Sequence, residues 1–272
     1  MKTAVIYWSG TGNTKQMAEA VLEGMKSAGA EAVLLEPSQV DASTFSGVDA
    51  VALGCPAMGS EVLEEMDLVD RAACVLGIGC CGLHMDYIAY DNTTAPHGRA
   101  CAVATGMKRS NPDSLVFTYQ GDGDFASIGL AESISAANRG ENITVIFINN
   151  GIYGMTGGQM APTTLVGMKA STAPHGRDPK EHGYPMHMCE ILNQLTAPAY
   201  LVRTSCNTPA NVNKTKQAIH KAFQNQLDGK GFSMVEIVTS CPTNWGLDPM
   251  KSLEYIEEKM LPEFPLGVVR DR

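Results

Sequence analysis

At 272 residues, 44% hydrophobic and 18% charged, the chain is long enough for one large α/β domain or a domain with a smaller companion. Its net charge of −9 offers no basic stripe for nucleic acid, and no run of eighteen apolar residues provides a membrane span. The opening MKTAVIYWSG has one lysine and runs straight into a strand and a glycine turn, so no secretory signal is expected, and the expected location is the cytoplasm.

Lys2–Trp8 is a short β-branched apolar run, and Gly10–Gly12 reads as a turn. A helix over Asn13–Ser27 would place Met17, Ala18, Val21, Leu22 and Met25 on one face, stopped by Gly29. Strands follow at Glu31–Leu35 and Val48–Gly54, the latter ending in the loop Cys55–Ser60. This alternation predicts a parallel sheet with ligand loops at the carboxyl ends of its strands. After a short helix over Glu61–Leu68, further strands are expected at Cys74–Ile78, Leu115–Tyr119, Ile143–Asn149, Ala199–Val202 and Met234–Val238. Helices are expected at Gly98–Ser110, Ser127–Asn138, Ala210–Leu227 and Met250–Met260. The stretch Gly151–Pro185 has no periodicity, and a loop of that length inside a domain is usually functional.

Charge divides unevenly along the chain. Residues 1–66 hold 9 acidic and 3 basic side chains, against 20 and 17 in the remainder, which suggests two segments of different character. The 8 cysteines include no C-x-x-C pair, so a self-contained zinc or redox site has little support, and most are expected to be buried small hydrophobes.

Two loops carry the chemistry. Gly121-Asp122-Gly123-Asp124 follows the strand LVFTYQ, and Asn149-Asn150 ends the strand VIFIN after an interval of 25 residues, 124 to 148. A diphosphate is best held through Mg²⁺, which demands near-octahedral oxygen ligands. Asp122 offers a carboxylate, Asn150 an amide oxygen and Ile152 a backbone carbonyl. Gly121 and Gly123 would let the backbone approach the phosphates without a Cβ.

The run from Gly121 through YGMTGGQMAPTT resembles the β subunit of 2-oxoacid:ferredoxin oxidoreductases, as do GIGCC at 77–81, His97-Gly98-Arg99 and ATGMK at 104–108. The resemblance covers residues 61–272. It implies thiamine diphosphate and Mg²⁺ as cofactors, with Asp122, Asn150 and the Ile152 carbonyl on the metal. It also implies that Cys80, Cys81, His97 and Asp124 lie at the cofactor and that Thr156 helps hold the diphosphate. The implied reaction is oxidative decarboxylation of a 2-oxoacid with electrons passed to ferredoxin or flavodoxin. The carboxylate that activates the pyrimidine ring belongs to a separate α subunit, with or without a γ subunit, so this chain alone is expected to be inactive. The family also carries a 4Fe–4S cluster. Cys80 and Cys241 match its two later cysteines, but the Cys-Pro-x-Cys expected near residues 47–50 is Gly47-Val48-Asp49-Ala50, and Cys55 is out of register. A complete four-thiolate cluster is therefore not expected, with Cys55 the residue that could rescue an incomplete one.

Residues 1–65 have a different kinship. Ser9-Gly10-Thr11-Gly12-Asn13-Thr14 opens a helix, where backbone N–H groups and hydroxyls can hold a phosphate without a cationic side chain. This loop is similar to the FMN-phosphate loop of short-chain flavodoxins, and the second loop with Met58 and Gly59 is similar to the one flanking the flavin ring. The flavodoxin's last strands and aromatic third loop are not recognisable, which implies weak FMN binding carried mainly by the phosphate. CVLGIG could stand in for the fourth flavodoxin strand, beside the third, with the loop Gly79–Tyr87 serving both families' purposes.

The expected architecture is therefore α/β: a flavodoxin-like βαβ half-domain over 1–65, then a parallel-sheet thiamine-diphosphate-binding domain over 66–272. An enzyme subunit is the leading functional reading. The alternatives are an FMN-binding electron-transfer module, or a fusion with neither activity.

Overall fold

The computed structural model describes residues 1–7, 13–54, 58–88 and 90–272. The chain divides into two compact units, Met1–Glu65 and Met66–Arg272.

In the first unit, β1 (Lys2–Tyr7) lies between β2 (Glu31–Leu35) and β3 (Ala50–Gly54), all parallel, in the order β2-β1-β3. As the middle strand, β1 is buried from Thr3 to Tyr7, which is why its β-branched run lacks polar alternation. The helix Asn13–Ser27 packs Ala18, Leu22 and Met25 against Val5, Tyr7, Leu34 and Ala52. Val21, expected on the same face, is 44% exposed. A short helix, Ala42–Ser46, precedes β3, and a third, Met58–Glu65, closes the unit and begins three residues earlier than the apolar pattern indicates.

The second unit is built on seven strands: β4 (Ala72–Leu76), β5 (Asp91–Thr94), β6 (Leu115–Gly121), β7 (Thr144–Asn149), β10 (Tyr200–Ser205), β11 (Ser233–Val238) and β12 (Gly267–Asp271). Two further short strands, β8 (Ile152–Tyr153) and β9 (Gln159–Met160), form a separate antiparallel ribbon. The large sheet runs β12-β10-β11-β7-β6-β4-β5, parallel except for β12. Its central strands are near-continuous apolar runs, as expected where helices cover both faces. Leu115–Gly121 and Thr144–Asn149 lie side by side in parallel register from Phe117↔Thr144 to Gly121↔Ile148. That pairing brings the ends of β6 and β7 to the same edge of the sheet.

Both β5 and β12 escape a sequence reading because they are edge strands: Asp91–Thr94 is wholly polar, and Gly267–Asp271 is largely exposed. β4 has both edges occupied, by β6 and β5. It therefore does not extend the three-stranded sheet beside β3, and the expectation that CVLGIG replaces a fourth flavodoxin strand is overturned. The helix expected at Ser127–Asn138 is two pieces, a π turn over Asp124–Ile128 and an α-helix over Leu130–Arg139. The irregular stretch after β7 contains the β8–β9 ribbon and one helical turn, Pro179–His182, capped by the Asp178 carboxylate. Among the described residues, no helix is long and apolar enough to cross a membrane.

Candidate active site

A cavity of about 290 Å³ opens at the carboxyl ends of β4, β6, β7 and β11. Asp122, Asn150, Ile152, His97, Cys80 and Cys81 all line it, as do Gly121, Gly123, Asp124 and Thr156. One space thus collects residues spread over 77 positions of sequence.

Asp122 follows directly on β6 and is 2% exposed. Its Oδ2 accepts a hydrogen bond from Thr163 Oγ1 at 2.7 Å and its Oδ1 one from the Gly123 N–H at 2.8 Å. Burial pushes its carboxyl up to about 6, against the opposing pull of the Thr163 hydroxyl and the Gly123, Gly151 and Ile152 amides. The donors around it are neutral, so the carboxylate lacks the cation that a buried charge requires.

The two asparagines after β7 have separate roles. Asn149 is fully buried and donates from Nδ2 to Glu236 Oε1 at 2.8 Å, inside the sheet. Asn150 lines the cavity, and its Oδ1 accepts from the Ile152 N–H at 3.1 Å. Gly151 between them has φ +69°, a conformation that favours glycine and lets the chain fold Ile152 back over Asn150. Asp122 and Asn150 both line this end of the cavity and carry a carboxylate and an amide oxygen, hard ligands of the kind that suit Mg²⁺ rather than a soft metal.

Gly123 is required for a reason other than phosphate access. A Cβ there would lie 2.0 Å from the Tyr153 ring, and Tyr153 donates its hydroxyl to the Gly123 carbonyl at 3.2 Å. At Gly121 a Cβ would meet open space, so the structure places no steric demand on it.

The Asp124 carboxylate is a hub. Oδ1 lies 2.6 Å from His97 Nδ1 and accepts from the Gly98 N–H at 2.8 Å, while Oδ2 accepts from Gln120 Nε2 at 2.6 Å. The π turn at Asp124–Ile128 sets this carboxylate at the cavity wall. With Nδ1 held by Asp124, Nε2 is the nitrogen of His97 left for chemistry. Cys81 is buried, donates its thiol to the Gly77 carbonyl at 3.3 Å and has its pKa pushed up to about 12 by burial, so it stays a neutral donor. Thr156 commits its hydroxyl proton to Gln159 Oε1 at 2.6 Å, leaving only its lone pairs for a ligand.

Cys80 and Cys241 converge on Gly154. A Cβ on that glycine would lie 3.4 Å from one sulfur and 3.3 Å from the other. Asn244 Nδ2 approaches Cys241 Sγ at 3.2 Å. Among the described residues, no group of three or more metal-binding side chains accompanies them. A 4Fe–4S cluster needs four such ligands, of which Cys80 and Cys241 would be two. Cys55 lies outside the described residues, as do Ser9, Gly10, Thr11 and Gly12 of the FMN-phosphate loop. Asn13 and Thr14 open the first helix, and Met58 and Gly59 open the helix Met58–Glu65.

Sequence reasoning missed Thr163, Tyr153 and the cavity residues Ile78 and Met155. Tyr153, Met155 and Thr163 belong to the YGMTGGQMAPTT run, whose specificity is visible in the sequence but whose contacts are not.

Residues 77–237 match the thiamine pyrophosphate enzyme family, C-terminal TPP binding domain, and residues 5–74 match the flavodoxin family. The chain is 47% identical over 212 residues to the ketoisovalerate oxidoreductase subunit VorA of Methanothermobacter thermautotrophicus, an alignment covering 78% of this chain and 44% of that protein. It is 38% identical over 189 residues to the 2-oxoglutarate synthase subunit KorB of Archaeoglobus fulgidus, covering 70% and 66% of the two chains. It thus spans less than half the length of the first of these relatives. Its fold is shared with a solved 2-oxoglutarate:ferredoxin oxidoreductase from Magnetococcus marinus, at TM-score 0.63 and 24% identity, over 79% of this chain and 77% of that one.

Proposed function

The chain belongs to the thiamine pyrophosphate enzyme family through its TPP binding domain, and we propose that it is the cofactor-binding β-type subunit of a 2-oxoacid:ferredoxin oxidoreductase. The observation that carries this is the convergence of Asp122 and Asn150, from the ends of adjacent parallel strands, in one cavity. In this reading Asp122, Asn150 and the Ile152 carbonyl hold Mg²⁺, and the metal holds the diphosphate. Thiamine diphosphate, when bound, supplies the carbanion chemistry that breaks the bond between the carboxylate and carbonyl carbons of a 2-oxoacid. His97, its Nδ1 fixed on Asp124, presents Nε2 to move or hold a proton. Cys81, its S–H committed to the Gly77 carbonyl, offers only its sulfur lone pairs to the cavity.

Substrate class follows from the same walls. Ile78 and Met155 line the cavity and are 41% and 45% exposed, and no Lys or Arg is among the lining residues. A second substrate carboxylate would find no counter-charge there, so a 2-oxoacid with an apolar side chain is favoured. The carboxylate that activates the pyrimidine is assigned to an α subunit. Reconstitution tests both points. The purified chain alone should not reduce a viologen dye with any 2-oxoacid. With a matching α subunit, kcat/KM for 2-oxoisovalerate should exceed that for 2-oxoglutarate by about tenfold or more, the scale of one unmatched group in a pocket. Turnover by the chain alone, or a preference for 2-oxoglutarate, overturns the corresponding part.

A second reading concerns residues 1–65, favoured by the flavodoxin match over 5–74 and the parallel β2-β1-β3 sheet. It assigns Ser9–Thr14 to the phosphate of FMN, with weak affinity because no aromatic third loop of flavodoxin type is recognisable in the sequence, although Tyr87 and Tyr90 lie in the loop that replaces it. Fluorescence-quenching titration should show micromolar or weaker FMN binding and no measurable riboflavin binding. Riboflavin binding as tightly as FMN sinks the phosphate-loop assignment.

A further inference from the structure

Two consecutive hydroxyls and one buried arginine link the ends of β6 and β7. Thr163 and Thr164 are both 0% exposed. Thr163 Oγ1 donates to Asp122 Oδ2 at 2.7 Å, at the end of β6. Thr164 Oγ1 donates to the Gly151 carbonyl at 2.6 Å, in the turn that joins Asn150 to Ile152, and accepts from the Ala161 N–H at 2.8 Å. Neighbouring residues of one loop thus hold the carboxylate on one strand end and the backbone beside the amide and carbonyl on the other.

The loop has no regular secondary structure at this point, so something else must fix its shape. Arg177 does so. It is 5% exposed, and its guanidinium donates to the carbonyls of Pro162 at 2.9 Å and Thr164 at 2.8 Å, on either side of Thr163. On its other edge it donates to Gly183 at 2.8 Å, His182 at 3.2 Å and Tyr184 at 2.7 Å. Its main chain joins the same structure, through the Gly167 N–H to the Arg177 carbonyl at 2.9 Å and the Arg177 N–H to the Met168 carbonyl at 3.0 Å. These acceptors are all backbone carbonyls, which only a planar fork of five donors can serve together. A lysine has three donors and no such plane.

We propose that Thr163, Thr164 and Arg177 form a clamp that positions Asp122 and the Asn150–Ile152 turn for Mg²⁺, with Arg177 acting through the two threonines. The inference rests on the assignment of Mg²⁺ to Asp122 and Asn150. Partners that orient metal ligands in this way are typically worth 10–100-fold in metal affinity. Thr163 touches the ligand Asp122, Thr164 touches Gly151 between the other two, and Arg177 touches none of them, so all three are positioning residues.

The test uses the full chain and reads the Mg²⁺ concentration that half-saturates thiamine-diphosphate binding, by calorimetry, with circular dichroism as a check on folding. Thr163→Val keeps the shape and removes the hydroxyl, and should raise that concentration about tenfold or more. Thr163→Ser restores the hydroxyl and should stay within about threefold of wild type. A purely packing role predicts the opposite order, because Val keeps the methyl that Ser removes. Thr164→Val provides an independent readout at the Gly151 carbonyl should Thr163→Val fold poorly, and Arg177→Lys should weaken Mg²⁺ as the threonine variants do. Wild-type Mg²⁺ dependence in a folded Thr163→Val or Thr164→Val chain overturns the clamp. Failure of the underlying assignment shows up differently, as an Asp122→Ala chain that still binds the cofactor with wild-type Mg²⁺ dependence.

Discussion

Asp122→Ala is expected to abolish Mg²⁺-dependent binding of thiamine diphosphate, a loss of at least about 100-fold, since a direct ligand is worth more than the partners that orient it. Asp113→Ala, at an exposed position, should bind as wild type. The argument is one of charge. Asp122 is buried among neutral donors, a state that is unfavourable for a carboxylate unless a cation completes it. The acid pKa of about 6 in the metal-free chain lies above the value near 3.9 of an unfolded Asp. A raised folded pKa gives stability that is fully present below about pH 4 and is lost as pH rises through about 6, a difference of order 3 kcal/mol. Mg²⁺ favours the ionised form and so reverses the trend. The gain in Tm on adding Mg²⁺ and thiamine diphosphate should therefore be small at pH 5 and grow to a plateau above pH 7. Calorimetric affinity in the variants and scanning calorimetry across pH check both. A cofactor-induced Tm gain that is flat across this range, or unaltered affinity in Asp122→Ala, would remove the central assignment.

How much of this was legible in the sequence follows from what kind of information each feature needs. The strands β4, β6, β7, β10 and β11 are apolar runs buried on two faces, and that signal is local. The edge strands β5 and β12 are not legible in this way, because what makes Asp91–Thr94 a strand is its pairing with β4. Helix ends slipped for a comparable reason. The chain departs from α geometry at Asp124–Ile128, where the Gly129 N–H bonds to the Asp124 carbonyl, and no periodicity in Asp-Phe-Ala-Ser-Ile announces a π turn. The candidate site was legible as residue types at fixed spacing: Asp122 and Asn150 are found where strand ends meet. Their supports were not. Thr163 is 41 residues from Asp122, and Arg177 reaches carbonyls on either side of Thr163 through a loop whose path the sequence does not encode in any period. The requirement for glycine at Gly123 was visible, but its cause, the Tyr153 ring, is a tertiary contact. The proposed replacement of a flavodoxin strand by CVLGIG failed because strand order was inferred from adjacency in sequence, whereas β4 pairs with β5 and β6.

Arg203→Met is expected to destabilise the second unit by about 3–5 kcal/mol, the loss typical of breaking a buried ion pair from one side. Arg203 and Glu236 are opposite one another on β10 and β11, 1% and 0% exposed, with Nε and Oε2 2.9 Å apart. Both other guanidinium nitrogens reach the half-exposed Glu190, at 2.8 and 2.6 Å. Glu236 also accepts from Asn149 on β7, so one carboxylate ties three neighbouring strands together. Removing the guanidinium leaves the Glu236 carboxylate in the sheet interior without its cationic partner. Glu190 can turn to water and contributes little to the cost. The double variant Arg203→Met with Glu236→Met removes both charges and should regain part of the loss, because apolar replacement of a whole buried pair is often close to neutral. It does not regain all of it, since Asn149 then loses its acceptor, at about 1–3 kcal/mol for a buried group left unsatisfied. Denaturant titration decides between the accounts: a single variant less stable than the double shows that the stranded carboxylate dominates, while a double variant at least as destabilised as the single overturns that. The consequence reaches the site through one peptide bond. Asn149 is held inside the sheet by Glu236, and Asn150, the next residue, is thereby left at the cavity wall.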